Sequence, residues 1–259
     1  MPRVTTAFAA VLALLLPVGR PLLVGLTPAV GIGAVLLSTQ TAYAQNATDW
    51  FDSGLAKAKR GDWQGAITDY TKAIEINPQY ADAYRNRGIA KRNLQDYRGA
   101  IADYTKAIEI NPQYADAYHG RGLRKDELGD LRGAISDYTK AIQYNPAYAH
   151  AYNSRGIAKS NLKDYRGAIV DFAKAIEIDP NDPVTYFNSG NGKFKLKDYQ
   201  GSIADWTKAI EVSPKFYMAY TNRGIILEII GDLKGACRDW KKAVDLGDTK
   251  PIEWVRNKC

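Results

Sequence analysis

Two histidines, His119 and His150, are all the imidazole this 259-residue chain offers. A zinc centre or a Ser-His-Asp relay has little to be built from, because such sites draw on several ligands or partners in set arrangements. Asp116 and Asp126 stand near His119. These types could serve a metal or simply a solvated groove, and no ligand spacing selects the metal. The stretch "SGNGKF" over 189–194 has glycines and a lysine but lacks the G-x-x-x-x-G-K-[ST] order that wraps phosphates. No Gly-x-Ser-x-Gly, Cys-x-x-Cys or paired-carboxylate signature is present. These residues imply no enzyme, no cofactor and no metal.

The ionisable residues that do recur form ladders. Asp69, Asp103, Asp137, Asp171, Asp205 and Asp239 follow one another at a step of 34 residues, as do Arg87, Arg121 and Arg155, with Arg223 two steps further on. Lys57, Lys91, Lys125, Lys159 and Lys193 keep the same step. Acid–base chemistry needs one special environment, whereas a contact needed in every copy is repeated. The ladders therefore predict an interhelical ion pair repeated along the chain, arginine with aspartate in the four units that carry the arginine.

The step organises the whole chain beyond residue 46. Six units start at Ala47, Ala81, Ala115, Ala149, Pro183 and Tyr217, and the sixteen residues 69–84 are repeated without change over 103–118. Numbered within a unit, position 4 is aromatic (Trp50 to Tyr220), position 8 glycine (Gly54 to Gly224), position 20 alanine or serine, position 24 aromatic (Tyr70 to Trp240) and position 27 alanine. Proline closes the first five units at position 32. Positions 4, 8 and 11 share one helical face, and 20, 24 and 27 another. Each unit is thus a helix pair whose small residues permit close approach. Aspartate at position 16 is placed to cap the second helix, and proline to end it. One such pair cannot bury its own apolar face, so neighbours must stack.

Aromatic at 4, Gly at 8, Ala at 20, aromatic at 24, Ala at 27 and Pro at 32 resembles the tetratricopeptide repeat. The resemblance implies an all-α, right-handed α-solenoid of six 34-residue helix-turn-helix repeats with a C-terminal capping helix. The predicted domains are 1–44, 45–250 (units 47–80, 81–114, 115–148, 149–182, 183–216 and 217–250) and 251–259. It also implies a non-enzymatic scaffold that holds a peptide or protein segment in a concave groove lined by positions 2, 5, 9, 12 and 13. On that footing the groove residues are Phe51, Arg85, Arg92, His119, Asp126, Asn153, Phe187, Asn191 and Phe194, of which Phe187, Asn191 and Phe194 form an open surface wanting a partner or a cover. Arg85, Arg92 and His119 would meet an acidic group. One subfamily grips a C-terminal carboxylate with lysine at position 5 and asparagine at position 9. No unit here has lysine at 5, so that clamp is absent. Self-association through solenoid ends or convex faces is the alternative reading.

The first 44 residues differ in composition. They carry no acid, two arginines and two apolar runs ahead of the A-x-A site Ala42–Ala44. A signal peptide cleaved near Ala44 is expected, with export to a periplasm, the exterior or a thylakoid-type lumen and no membrane insertion of the mature chain; an anchor through 21–38 is the alternative. Cleavage would leave 33 Lys and Arg against 28 Asp and Glu, lowering the net charge from +7 to +5. Mild basicity without a basic block or a recognition module gives no footing for nucleic acid. In the last unit "DTKPIEWVRNKC" replaces the closing pattern. Pro251 suits the first turn of a final helix whose Ile252, Trp254 and Val255 would cover the exposed end. Running back antiparallel, that helix would bring Cys259 near Cys237, as a disulfide or as two separate thiols.

Overall fold

The computed structural model describes residues 46–259. The expected signal segment, its cleavage at Ala44 and the 21–38 anchor lie outside the described residues. Helix α1 covers 46–59. It is followed by α2 (Trp63–Ile76), α3 (Ala81–Asn93), α4 (Tyr97–Ile110), α5 (Ala115–Glu127), α6 (Leu131–Tyr144) and α7 (Ala149–Asn161). Then come α8 (Tyr165–Ile178), α9 (Pro183–Lys195), α10 (Tyr199–Val212), α11 (Tyr217–Ile229), α12 (Leu233–Asp245) and α13 (Ile252–Lys258). No strand occurs among the described residues. From α2 onward each helix packs on the next, giving an all-α solenoid of helix pairs. The first helices of successive units also touch, α3 with α5, α5 with α7 and α7 with α9. Odd-numbered helices therefore lie on the inner side of the stack.

Local chemistry sets the ends. Asp62, Asp96, Asp130, Asp164 and Asp198 each accept a hydrogen bond at 2.9 Å from the backbone N–H three residues on, and Asp232 does so at 2.8 Å. The donor is glycine every time, from Gly65 to Gly235, and a Cβ there would lie 2.0–2.2 Å from the carboxylate. The cap was legible in the sequence; its glycine partner follows only from this geometry. At the other end, Asn77 precedes Pro78 and takes the extended conformation (φ −127°, ψ 90°) that a following proline enforces, which stops α2.

Within each pair the ring at position 24 packs on the glycine at position 8. A Cβ on Gly54 would stand 2.6 Å from the Tyr70 ring, on Gly156 2.6 Å from Phe172, and on Gly224 2.4 Å from the Trp240 indole nitrogen. The rings are almost wholly buried and the alanines at position 27 completely so or nearly so. At such density even one methyl forces the neighbours apart.

The ladders become joints. Arg121 donates to both carboxylate oxygens of Asp137 (2.9 and 2.7 Å), while Lys125 reaches the same group at 2.9 Å. Arg87–Asp103, Arg155–Asp171 and Arg223–Asp239 repeat the fork. The third nitrogen of each arginine donates to a threonine of the preceding unit: Thr71, Thr105, Thr139 and Thr207, at 2.9–3.1 Å. The expected ion pair thus also ties unit to unit. The fifth unit has Ser189 at the arginine's place, and the fourth has Ala173 at the threonine's.

At the end of the array Asp248, at the place of the missing proline, accepts from Thr221 Oγ1 and from Lys250 N–H. Pro251 is buried and stands just before α13 rather than within it. Trp254 packs on Trp240 with centroids 5.2 Å apart. Ile252 does not cover the end as expected: it is 40% exposed, because α13 turns Trp254 and Val255 inward and Ile252 points off that face. Cys237 and Cys259 are paired, with Cα atoms 5.6 Å apart.

Two stability changes follow. Arg121→Leu removes the fork and the Thr105 bond but leaves Lys125 on Asp137, so it should lower unfolding free energy by about 2–3 kcal/mol, read as a shifted urea midpoint. Lys163 holds φ +67° where three other units have glycine. Lys163→Gly should therefore stabilise by about 1 kcal/mol in the same measurement.

Candidate functional site

Side chains at positions 2, 5, 6, 9, 12 and 13 of the odd-numbered helices reach the inner face, because these positions lie opposite the surface packed on the partner helix. Several of the residues expected there are already occupied with their own chain. The Phe51 ring packs on Tyr70 and Tyr80, at 5.7 and 4.9 Å between centroids. Phe187 meets Phe216 edge-on at 5.3 Å, and its carbonyl accepts from the Trp206 indole at 3.2 Å. The expectation that Phe187 lies open is thus corrected. Phe216, from the turn that enters the sixth unit, supplies the cover. Phe194 is half-buried against Tyr199 and Trp206, and with Asn222 and Ile225 it lines a small cavity of about 70 Å³.

The asparagines bridge units. Asn188 donates to Asn153 at 3.2 Å and Asn222 to Asn191 at 2.9 Å. Asn191 also borders an inner-face cavity of about 340 Å³ with Ser160, Asn161, Lys163, Tyr165 and Lys195. Asp126 is half-buried, and burial holds its carboxyl above the usual range.

The structure does bring Arg85, Arg92 and His119 together. They border one cavity of about 180 Å³ between α3 and α5, closed on the far side by Tyr148. Arg85 pairs with Asp116 at 3.3 Å. His119 lies 3.1 Å from Ser154 Oγ and 3.3 Å from the Tyr148 hydroxyl. Burial, helped by the nearby His150 and Arg124, pushes the imidazole down to about 4 although Asp116 opposes the shift. It is neutral at physiological pH. Burial and a hydrogen bond to Asp116 push the Tyr148 phenol well up, so it stays protonated too.

Sequence reasoning missed one wall of this cavity. Arg124 is 5% exposed, its Nη2 lies 3.0 Å from Glu127, and its guanidinium carbon sits 5.6 Å from the centre of the Tyr97 ring. Its signal was the register: position 10 reads Ala56, Ala90, Arg124, Ala158, Gly192 and Ile226. Among the described residues no group of three or more His, Cys, Asp or Glu side chains is placed to hold a metal, and no helix is long and apolar enough to cross a membrane.

Stacked helix pairs with an inner face of variable polar residues define a helical-repeat protein. The particular repeat is the tetratricopeptide repeat: family profiles of that repeat match residues 54–95, 81–114, 115–148 and 149–182, so the chain carries tetratricopeptide repeats. No enzymatic family is indicated, and such proteins are in general non-catalytic scaffolds that bind proteins or peptides. No curated protein matches the chain. Among solved structures it is similar to PilF of Pseudomonas aeruginosa (18% identity, TM-score 0.72, 84% of this chain and 100% of that one). It is similar also to MamA (24% identity, TM-score 0.60, 66% of this chain and 93% of that one). A third is YrrB, described as a TPR protein with an unusual peptide-binding site (22% identity, TM-score 0.62, 73% of this chain and 98% of that one). These likenesses show the fold.

The neutral His119 carries a pH dependence. An imidazole that titrates near 6.5 unfolded and about 4 folded binds more protons in the unfolded state, so its stabilisation is complete above pH 6.5 and is lost as pH falls toward 4. Going from pH 7 to pH 5 should cost the wild type about 1–2 kcal/mol more than His119→Gln, measured by urea unfolding of both at each pH.

Proposed function

We propose that this protein is an exported, non-enzymatic adaptor that holds an extended or helical segment of a partner along the inner face of its repeats. The observation that carries the reading is the contrast between the two surfaces of the odd-numbered helices. Positions that pack are nearly invariant from unit to unit, while positions 5 and 12 run through Phe51, Arg85, His119, Asn153, Phe187 and Thr221, and Ala58, Arg92, Asp126, Ser160, Phe194 and Glu228. Three cavities open along that varied face. YrrB, with its described peptide site, supports the same use. Cleavage near Ala44 would deliver the mature chain to a periplasm or lumen of the cell envelope, where it would aid assembly of a larger complex; the apolar, acid-free first 44 residues support this address. A paired Cys237 and Cys259 agrees with an oxidising compartment.

A second reading, self-association, has its own observation. Leu94, Leu128, Leu162, Leu196 and Ile230 all occupy position 14 and are 41–50% exposed, an apolar line along the turns. Crosslinking pull-downs from envelope fractions separate the readings. The wild type would be compared with Ser160→Trp/Lys195→Glu on the inner face and Lys106→Glu/Lys174→Glu on exposed outer helices, each of unchanged melting temperature. Loss of partners only in the inner-face variant is the expected result. Loss only in the outer variant, or recovery of nothing but the chain itself, would move the function to the convex face or to an oligomer.

A further inference from the structure

The cavity between α3 and α5 carries a charge that packing does not need. Where other units place alanine, glycine or isoleucine at position 10, the third places Arg124, with its side chain 6% exposed. Nη2 is engaged by Glu127, but Nε and Nη1 have no hydrogen-bond partner among the described residues. Burying donors without acceptors is costly, and an alanine, as at Ala90 and Ala158, fills the same place without that cost. One turn earlier the same helix departs again. Position 6 is Asp52, Asn86, Ser154, Asn188 or Asn222 in the other units but Gly120 here, and a Cβ on Gly120 would stand 2.9 Å from the Tyr104 ring. Gly120 and Arg124 border the same cavity. One substitution makes room for the Tyr104 ring; the other brings charge.

The sign and size of that charge can be read. Arg85 is engaged by Asp116 and Arg124 by Glu127, while no described carboxylate lies in ion-pair range of Arg92. One positive charge is therefore uncompensated. We propose that this cavity binds a single carboxylate of a partner segment, an acidic side chain or a chain terminus, between Arg92, Arg124 and Arg85. The inference rests on the groove reading above and specifies what that groove selects. A carboxylate suits the site better than a phosphate dianion, because the surplus is one charge and Asp116 in the wall repels a second. Planar guanidinium forks also match a carboxylate's two oxygens.

The test is an NMR titration of the full chain, following the arginine Nε–H signals as sodium acetate replaces sodium chloride at constant ionic strength, with methyl phosphate in a parallel series. The expected result is a saturable shift of the Arg124 Nε–H with acetate. Arg92→Gln should weaken acetate by about tenfold or more, the scale of one lost charge-assisted hydrogen bond. Arg124→Met keeps the stem's packing and removes the buried charge; it should abolish the saturable acetate shift at the Nε–H signals of Arg85 and Arg92, which border the same cavity, while leaving the melting temperature equal or higher. The absence of a saturable shift in the wild type overturns the site. Tighter binding of methyl phosphate than acetate overturns the carboxylate assignment, and a lower melting temperature of Arg124→Met would make Arg124 a structural residue and overturn its role. Because the titration needs no protein partner, its failure is distinct from failure of the groove reading, which the pull-down decides.

Discussion

Everything in this array depends on how closely two helices can approach at one point, the glycine at position 8 beneath the ring at position 24. With a Cβ 2.4–3.1 Å from ring atoms, no other residue fits without moving the second helix. That contact fixes the separation within the pair, and the separation fixes where the arginine at position 7 meets the aspartate at position 23. The fork then leaves one guanidinium nitrogen pointing at the preceding unit, where threonine receives it. A steric constraint inside each unit thus sets the register between units.

A nearly buried aspartate such as Asp171 or Asp137 would be costly alone, but it is met by an arginine fork and a lysine together. Replacing such a network by apolar groups can be neutral, so its value lies less in net stability than in direction. Apolar faces can slide; a two-pronged bond with a third contact across the seam cannot do so without breaking. The aligned inner face is the product.

The repeating parts of this design were legible in the sequence because repetition averages out local accident. Gly54 to Gly224, the aromatics at 4 and 24, the capping aspartates and the arginine–aspartate pairs each recur, and physical chemistry assigns a recurring residue a recurring role. The site was harder to read for the same reason. Arg124 and Gly120 each occur once at their positions, so a reading tuned to period passes over them, and their joint effect appears only when Tyr104 of the preceding unit is placed beside them. Phe187 failed in the opposite direction. Its ring looked unpartnered along the helix, but its cover, Phe216, comes from a turn that helix periodicity does not describe.

The fourth and fifth units meet without the arginine–threonine bond, since Ala173 and Ser189 stand where its two ends would be. In a linear array, stiffness is a property of each seam, and a seam held by apolar packing and one inner-face asparagine pair, Asn188 with Asn153, bends at lower cost than its neighbours. The solenoid is therefore two stiff blocks, units one to four and units five and six, that meet at one compliant seam. Its inner surface can widen or narrow near Asn153 and Asn191 while the Arg85–Arg124 cavity, well inside the first block, keeps its shape.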